Sequence, residues 1–139
     1  MLIIAVAIGI AIWVTTRKHE EVKNDNLKIV TSFYPIHVMT ANITQNVPDV
    51  ELVNMTEANV GCLHDYTIST TDMKKIEKAD IYIQNGLGLE SFMDKIISAY
   101  PELKVIDTSA DISNKIQDEN ETNPHIWTSV ENYIKQVET

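Results

Sequence analysis

From residue 27 onward, short β-branched bursts alternate with stretches in which apolar residues recur every three or four positions. Residues 27–32 (LKIVTS) read as a strand, as do 50–53, 79–84 (ADIYIQ) and 103–106 (LKVI). Between them lie helical patterns. Pro35 is suited to a first helical turn, and that helix runs to about residue 45. Thr70, Thr71 and Asp72 are candidate N-caps for a helix through Lys78, with Met73, Ile76 and Ala79 on one buried face. Asn85-Gly86 makes a turn into a helix over 89–100, with Phe92, Ile96 and Ile97 inward, and Pro101 stops it.

This order, β-α-β-α-β-α-β, predicts an α/β fold: a parallel sheet of about four strands with helices on both faces. Residues 113–123 (SNKIQDENETN) have no apolar periodicity and read as a solvated acidic loop. Residues 128–137 read as a last helix, capped by Thr128 or Ser129, with Glu131 near its positive end. No strand follows, so the lobe over 27–139 reads as interrupted.

The opening stretch is different. Residues 1–14 (MLIIAVAIGIAIWV) contain no polar side chain. As a helix they span about 21 Å, short of a bilayer core of about 30 Å. That length suits a signal peptide or a short membrane anchor, although no Lys or Arg precedes the run and no small-x-small site follows it. Residues 15–26 (TTRKHEEVKNDN) read as a polar linker. These features predict an extracytoplasmic protein, in the periplasm or at the cell surface, held at the membrane through its N-terminal segment.

Charge and cysteine content narrow the classes. The chain has 139 residues, enough for one domain with a real core, and a formal net charge of -9 from 20 acidic and 11 basic residues. Without a basic stripe, nucleic acid is excluded as a partner. The lone cysteine, Cys62, excludes an internal disulfide framework and a Cys-rich zinc module. Cys62 and His64 are spaced to chelate a soft metal, but a half-buried loop cysteine is the simpler role.

Of four histidines, His19 lies in the linker and His37 in the first turn of the first helix, where a packing or surface role is the default. His64 and His125 each follow a predicted parallel strand, the second and the fourth. Ligands of open α/β sheets bind beyond the carboxyl ends of the strands. Two imidazoles at one sheet edge can share a metal at about 2.0–2.1 Å each. On spacing alone this evidence is thin, because two loop histidines are common in a chain of this size.

The surrounding residues sharpen it. The stretches TSFYPIHVMTANI (31–43), GCLHDYTISTTDMKKIEKADIYIQNGLGLESFMDK (61–95) and NPHIW (123–127) resemble, in order and spacing, the zinc/manganese solute-binding proteins of metal-uptake ABC transporters. The resemblance runs from about Leu27 to the end of the chain. It implies the N-terminal lobe of a two-lobed receptor that binds zinc, or alternatively manganese, in the cleft between lobes. The receptor would deliver the ion to a membrane permease and catalyse nothing. It implies His64 as first metal ligand and His125 as second; the others, a His or Glu and then an Asp or Glu, would come from a second lobe absent here. Leu63 departs from the family's usual proline before the ligand histidine, and the 113–123 loop lacks the histidines of many zinc receptors.

Other readings are weaker. Gly86 and Gly88 follow a strand, but Ser91 takes the third glycine position of a dinucleotide fingerprint. A metal-dependent hydrolase would need further His and Asp ligands and a general base. A surface adhesion or interaction protein built on the same lobe is the remaining alternative.

Overall fold

The computed structural model describes residues 26–57, 60, 63–118 and 121–139. The apolar 1–14 segment, the linker to residue 25 and Cys62 lie outside the described residues. Among those described, no helix is long and apolar enough to cross a membrane.

Four strands, β1 (Leu27–Thr31), β2 (Val50–Asn54), β3 (Ile81–Gln84) and β4 (Lys104–Asp107), form one sheet in the order β2-β1-β3-β4. All three pairings are parallel. The strict side-chain alternation of a strand divides the core in two. On one face Ile29 sits opposite Leu52 and Ile81, and Ile83 opposite Ile106. These residues pack with Phe33, Ile36 and Met39 at α1 (Tyr34–Thr44), and with Leu63, Trp127 and Tyr133. On the other face Val30 sits opposite Val53 and Tyr82, and Tyr82 opposite Val105. They pack with Ile76 of α2 (Thr70–Glu77) and with Met93 and Leu103. Helices therefore cover both faces, as the alternation of strands and helices predicts.

Three local expectations need correction. The cap of α2 is Ser69, not Thr70, Thr71 or Asp72; Asp72 is instead the third helical residue of a capping box, bonded back to Ser69. The helix expected over 89–100 is only a tight 3-10 turn, Ser91–Met93, leading into one turn of α3, Asp94–Ile97. There the Ser98 hydroxyl donates to the Asp94 carbonyl, and Ala99 and Tyr100 close onto Ile96 and Ile97 three residues back. These bonds compete with helix continuation, and Pro101 disfavours the helical conformation at Tyr100. The acidic loop is not wholly irregular. Within it β5 (Gln117–Asp118) and β6 (Glu121–Thr122) pair antiparallel.

The last helix, α4 (Val130–Glu138), is inverted relative to an ordinary amphipathic helix. It is capped by the Ser69-like hydroxyl of Ser129, which accepts the Asn132 N–H. Asn132 and Gln136 are buried, whereas Val130, Ile134 and Val137 are 78%, 54% and 45% exposed. Tyr133 ties α4 to α1 by donating its hydroxyl to the Pro35 carbonyl, 2.9 Å away.

Candidate metal site

His64 and His125 come from the connections after β2 and β4, the two outer strands of the sheet. Three inter-strand spacings put those strand ends about 14 Å apart. The ring centroids are nevertheless 5.4 Å apart, at an interplanar angle of 55°. Both connections thus fold inward over the carboxyl ends of β1 and β3. That is where the strand order reverses, and where open α/β sheets hold ligands. The structure thus brings these two rings together at one edge of the sheet. His37 lies in the first turn of α1, its Nδ1 3.3 Å from the hydroxyl of Thr31 at the end of β1, and burial lowers its pKa. Among the described residues no group of three or more His, Cys, Asp or Glu side chains is placed to hold a metal.

His125 is held on several sides. Its φ of -77° and ψ of 45°, with the Ile126 N–H bonded to the Pro124 carbonyl at 2.8 Å, describe an inverse γ-turn. Its own backbone N–H donates to Asn123 Oδ1 at 3.0 Å. An N–H can only donate, so that carboxamide atom is the oxygen. The ring Nδ1, 2.8 Å from the same oxygen, is then the protonated nitrogen, and Nε2 carries the lone pair. Trp127 stacks obliquely on the ring at 5.1 Å, and Phe33, just past β1, meets Trp127 edge-on at 4.8 Å.

His64 is exposed on a single 3-10 turn, Leu63–Asp65, anchored by the buried Leu63 side chain. Two residues on, Tyr66 donates its hydroxyl to Asp72 Oδ2 at 2.8 Å. The same carboxylate accepts the Ser69 N–H and hydroxyl at 2.9 and 2.6 Å and pairs with Lys75 at 3.6 Å. Lys75 also donates to the Met55 carbonyl, where the connection leaves β2. Asp72 and Lys75 therefore clip both ends of the segment that carries His64. Sequence reading assigned Asp72 to a cap, and its tie to Tyr66 appears only in three dimensions.

Burial pushes the Asp72 carboxyl up, but the bonds from Ser69, Tyr66 and Lys75 outweigh it and hold the pKa below its usual value of 3.8. The Tyr66 phenol, partly desolvated and bonded to Asp72, is pushed up to about 12. A depressed carboxyl stabilises the fold fully above its unfolded pKa and ceases to do so as pH falls through the folded value. Asp72→Asn should therefore cost about 2 kcal/mol at pH 7. The gap from the parent should close as pH falls below about 4. Urea melts of both chains across that range check it; a gap independent of pH would remove the charge from the account.

These features define an open α/β lobe with paired imidazoles beyond its strand ends. The family model for "Zinc-uptake complex component A periplasmic" matches residues 29–139, and the chain belongs to that family. It is 29% identical over 116 residues to the manganese-binding lipoprotein MntA of Halalkalibacterium halodurans, covering 82% of this chain and 37% of that protein. It is 30% identical over 81 residues to the high-affinity zinc uptake system protein ZnuA of Haemophilus ducreyi, covering 58% of this chain and 25% of that one. Among solved structures, the Mn-bound periplasmic metal binding protein from candidatus liberibacter asiaticus superposes with a TM-score of 0.69 at 31% identity, covering 80% of this chain and 42% of the other. Zn(II)-bound AdcA from Streptococcus pneumoniae gives a TM-score of 0.69 at 26% identity, covering 81% and 24%. The chain spans well under half the length of each of these proteins.

Proposed function

We infer that this lobe binds a divalent transition metal through His64 and His125, outside the cytoplasm, for delivery to an ABC transporter permease. Zinc is favoured and manganese is the alternative. The observation that carries the reading is the ring spacing. Two imidazoles on one tetrahedral zinc, bonded at about 2.0–2.1 Å, have centroids about 5 Å apart, and these stand 5.4 Å apart. Neutral imidazole suits zinc and accepts manganese, and a given nitrogen site generally binds zinc more tightly than manganese. The relatives include proteins named for manganese, zinc and iron binding.

Two imidazoles fill half of a four-coordinate sphere. The further ligands belong to a second lobe, in keeping with the greater length of the relatives. The same lobe covers the apolar stripe Val130, Ile134 and Val137 of α4, which is exposed here.

Two measurements test this. A complete structural zinc site binds with about 10–16 kcal/mol, so two of four ligands give about 5–8 kcal/mol, a Kd of about 1–200 µM. Titration of this chain with zinc should find that range and weaken as pH falls and protons compete for the imidazoles. Tight one-to-one binding that survives His64→Ala would show that the ligand set is wrong. Sedimentation should show concentration-dependent self-association that Ile134→Glu abolishes. A chain that stays monomeric up to about 1 mM, the weak end of specific association, would remove the covered-stripe argument.

A further inference from the structure

We propose that Asn85 is a positioning residue for His125, acting through the Pro124 carbonyl; this rests on the metal-binding reading above. Asn85 is fully buried at the carboxyl end of β3. Its Nδ2 donates to the carbonyls of Gly86 at 3.1 Å and Pro124 at 2.9 Å. Carbonyls only accept, so the carboxamide orientation is fixed, and its oxygen faces Gln136. Gln136, 2% exposed on α4, donates Nε2 to Asn85 Oδ1 at 3.1 Å and to the Thr108 hydroxyl at 2.8 Å. Thr108 in turn donates to the Gln84 carbonyl at 3.0 Å. Each donor in this chain has one consistent direction, from the helix through the buried carboxamides to the strand ends.

The result is a clamp on a single peptide unit. The Pro124–His125 peptide has its carbonyl held by Asn85 and its N–H held by Asn123. The peptide is planar, so fixing both polar groups fixes the plane from which the His125 side chain departs. Asn123 acts locally, two residues away. Asn85 is the long-range half, anchored to the sheet and crossing 39 residues of sequence. It explains why α4 turns the Gln136 carboxamide inward: Gln136 occupies the Asn85 oxygen. Loss of this hold leaves Pro124 bonded to the Ile126 N–H, so the γ-turn persists while its seat on the sheet loosens.

Zinc affinity should fall about tenfold in Asn85→Ala, the low end for loss of an outer-shell partner. In a double-mutant cycle the tenfold loss should persist in a His64→Ala background and vanish in His125→Ala. A loss of equal size in all three backgrounds would mean general loosening and overturn the proposal, as would an affinity within twofold of the parent. Gln136→Leu, which removes the donor to Asn85 and to the Thr108 hydroxyl and leaves the Asn85 side chain in place, replaces Asn85→Ala if that variant does not fold, with the same outcomes. Nitrogen-15 spectra of the metal-free ring resonances give the second readout. Asn85→Ala should perturb the Nδ1-protonated form of His125 and leave His64 unchanged; the reverse, or no change, overturns the positioning role. Failure of the parent chain to bind zinc at all would defeat the metal reading, while the ring spectra would still decide the positioning.

Discussion

Replacing His125 with alanine is expected to cost this chain about two orders of magnitude in zinc affinity. A full site of four ligands is worth about 10–16 kcal/mol, or about 3 kcal/mol per ligand, and 1.4 kcal/mol is about tenfold. His64→Ala should cost less. His125 is held before metal arrives: Asn123 fixes its tautomer, Trp127 packs on one side, and its peptide is bonded at both ends. A ligand already in place loses little conformational freedom on binding. His64 is exposed on a one-turn segment, and its restraints act through Leu63 and Tyr66 on either side. Chelation by two groups is not additive, so the double variant should bind little worse than His125→Ala alone. Calorimetry on the four chains checks both the order and the floor. Equal losses for the two histidines would show that preorganisation has no weight, and no loss in either would remove both from the site.

The sheet was legible because buried parallel strands read as β-branched runs; 27–32 and 79–84 each contain the strand found there, and 103–106 includes all of β4 but its last residue, Asp107. The meeting of His64 and His125 followed from topology, since both connections leave carboxyl ends of parallel strands. What could not be read was the support beneath them. Asn85 looked like half of an Asn-Gly turn, which it is, but its side chain also spans to Pro124. Apolar periodicity could not foresee that α4 would bury Asn132 and Gln136 and expose Val130 and Ile134. On the inward face Gln136 answers hydrogen-bond demand at the strand ends, and hydropathy carries no signal for that demand. That Ser69, and not one of its neighbours, caps α2 was illegible for a similar reason. Several adjacent hydroxyls suit the role, and the choice rests on which one Asp72 can reach back to.

Gly86→Ala should be among the most destabilising single substitutions in the chain, at about 4 kcal/mol. Gly86 has a φ of +87°, where an L-residue costs about 1–2 kcal/mol. A Cβ there would also stand 1.9 Å from Asp107 Oδ1 and 2.5 Å from Ser109 Oγ. The Asp107 side chain is not free to swing away. Its Oδ1 accepts the Ser109 N–H at 2.8 Å and the Ser109 hydroxyl at 2.6 Å. Clearing the clash gives up those charge-assisted bonds, at about 1.5–3 kcal/mol. Gly88 supplies the internal control. Its φ is +80°, but a Cβ added there meets nothing within 4 Å. Gly88→Ala should therefore show the backbone strain alone, about 1–2 kcal/mol. At about 4 °C per kcal/mol for a domain of this size, the two variants should melt about 15 °C and about 5 °C below the parent. Replacing Asp107 with alanine in the Gly86→Ala chain should recover part of the larger loss by removing the obstructing carboxylate. If Gly86→Ala and Gly88→Ala melt together, the close approach of Asp107 contributes nothing, and Gly86 is required for its dihedral alone.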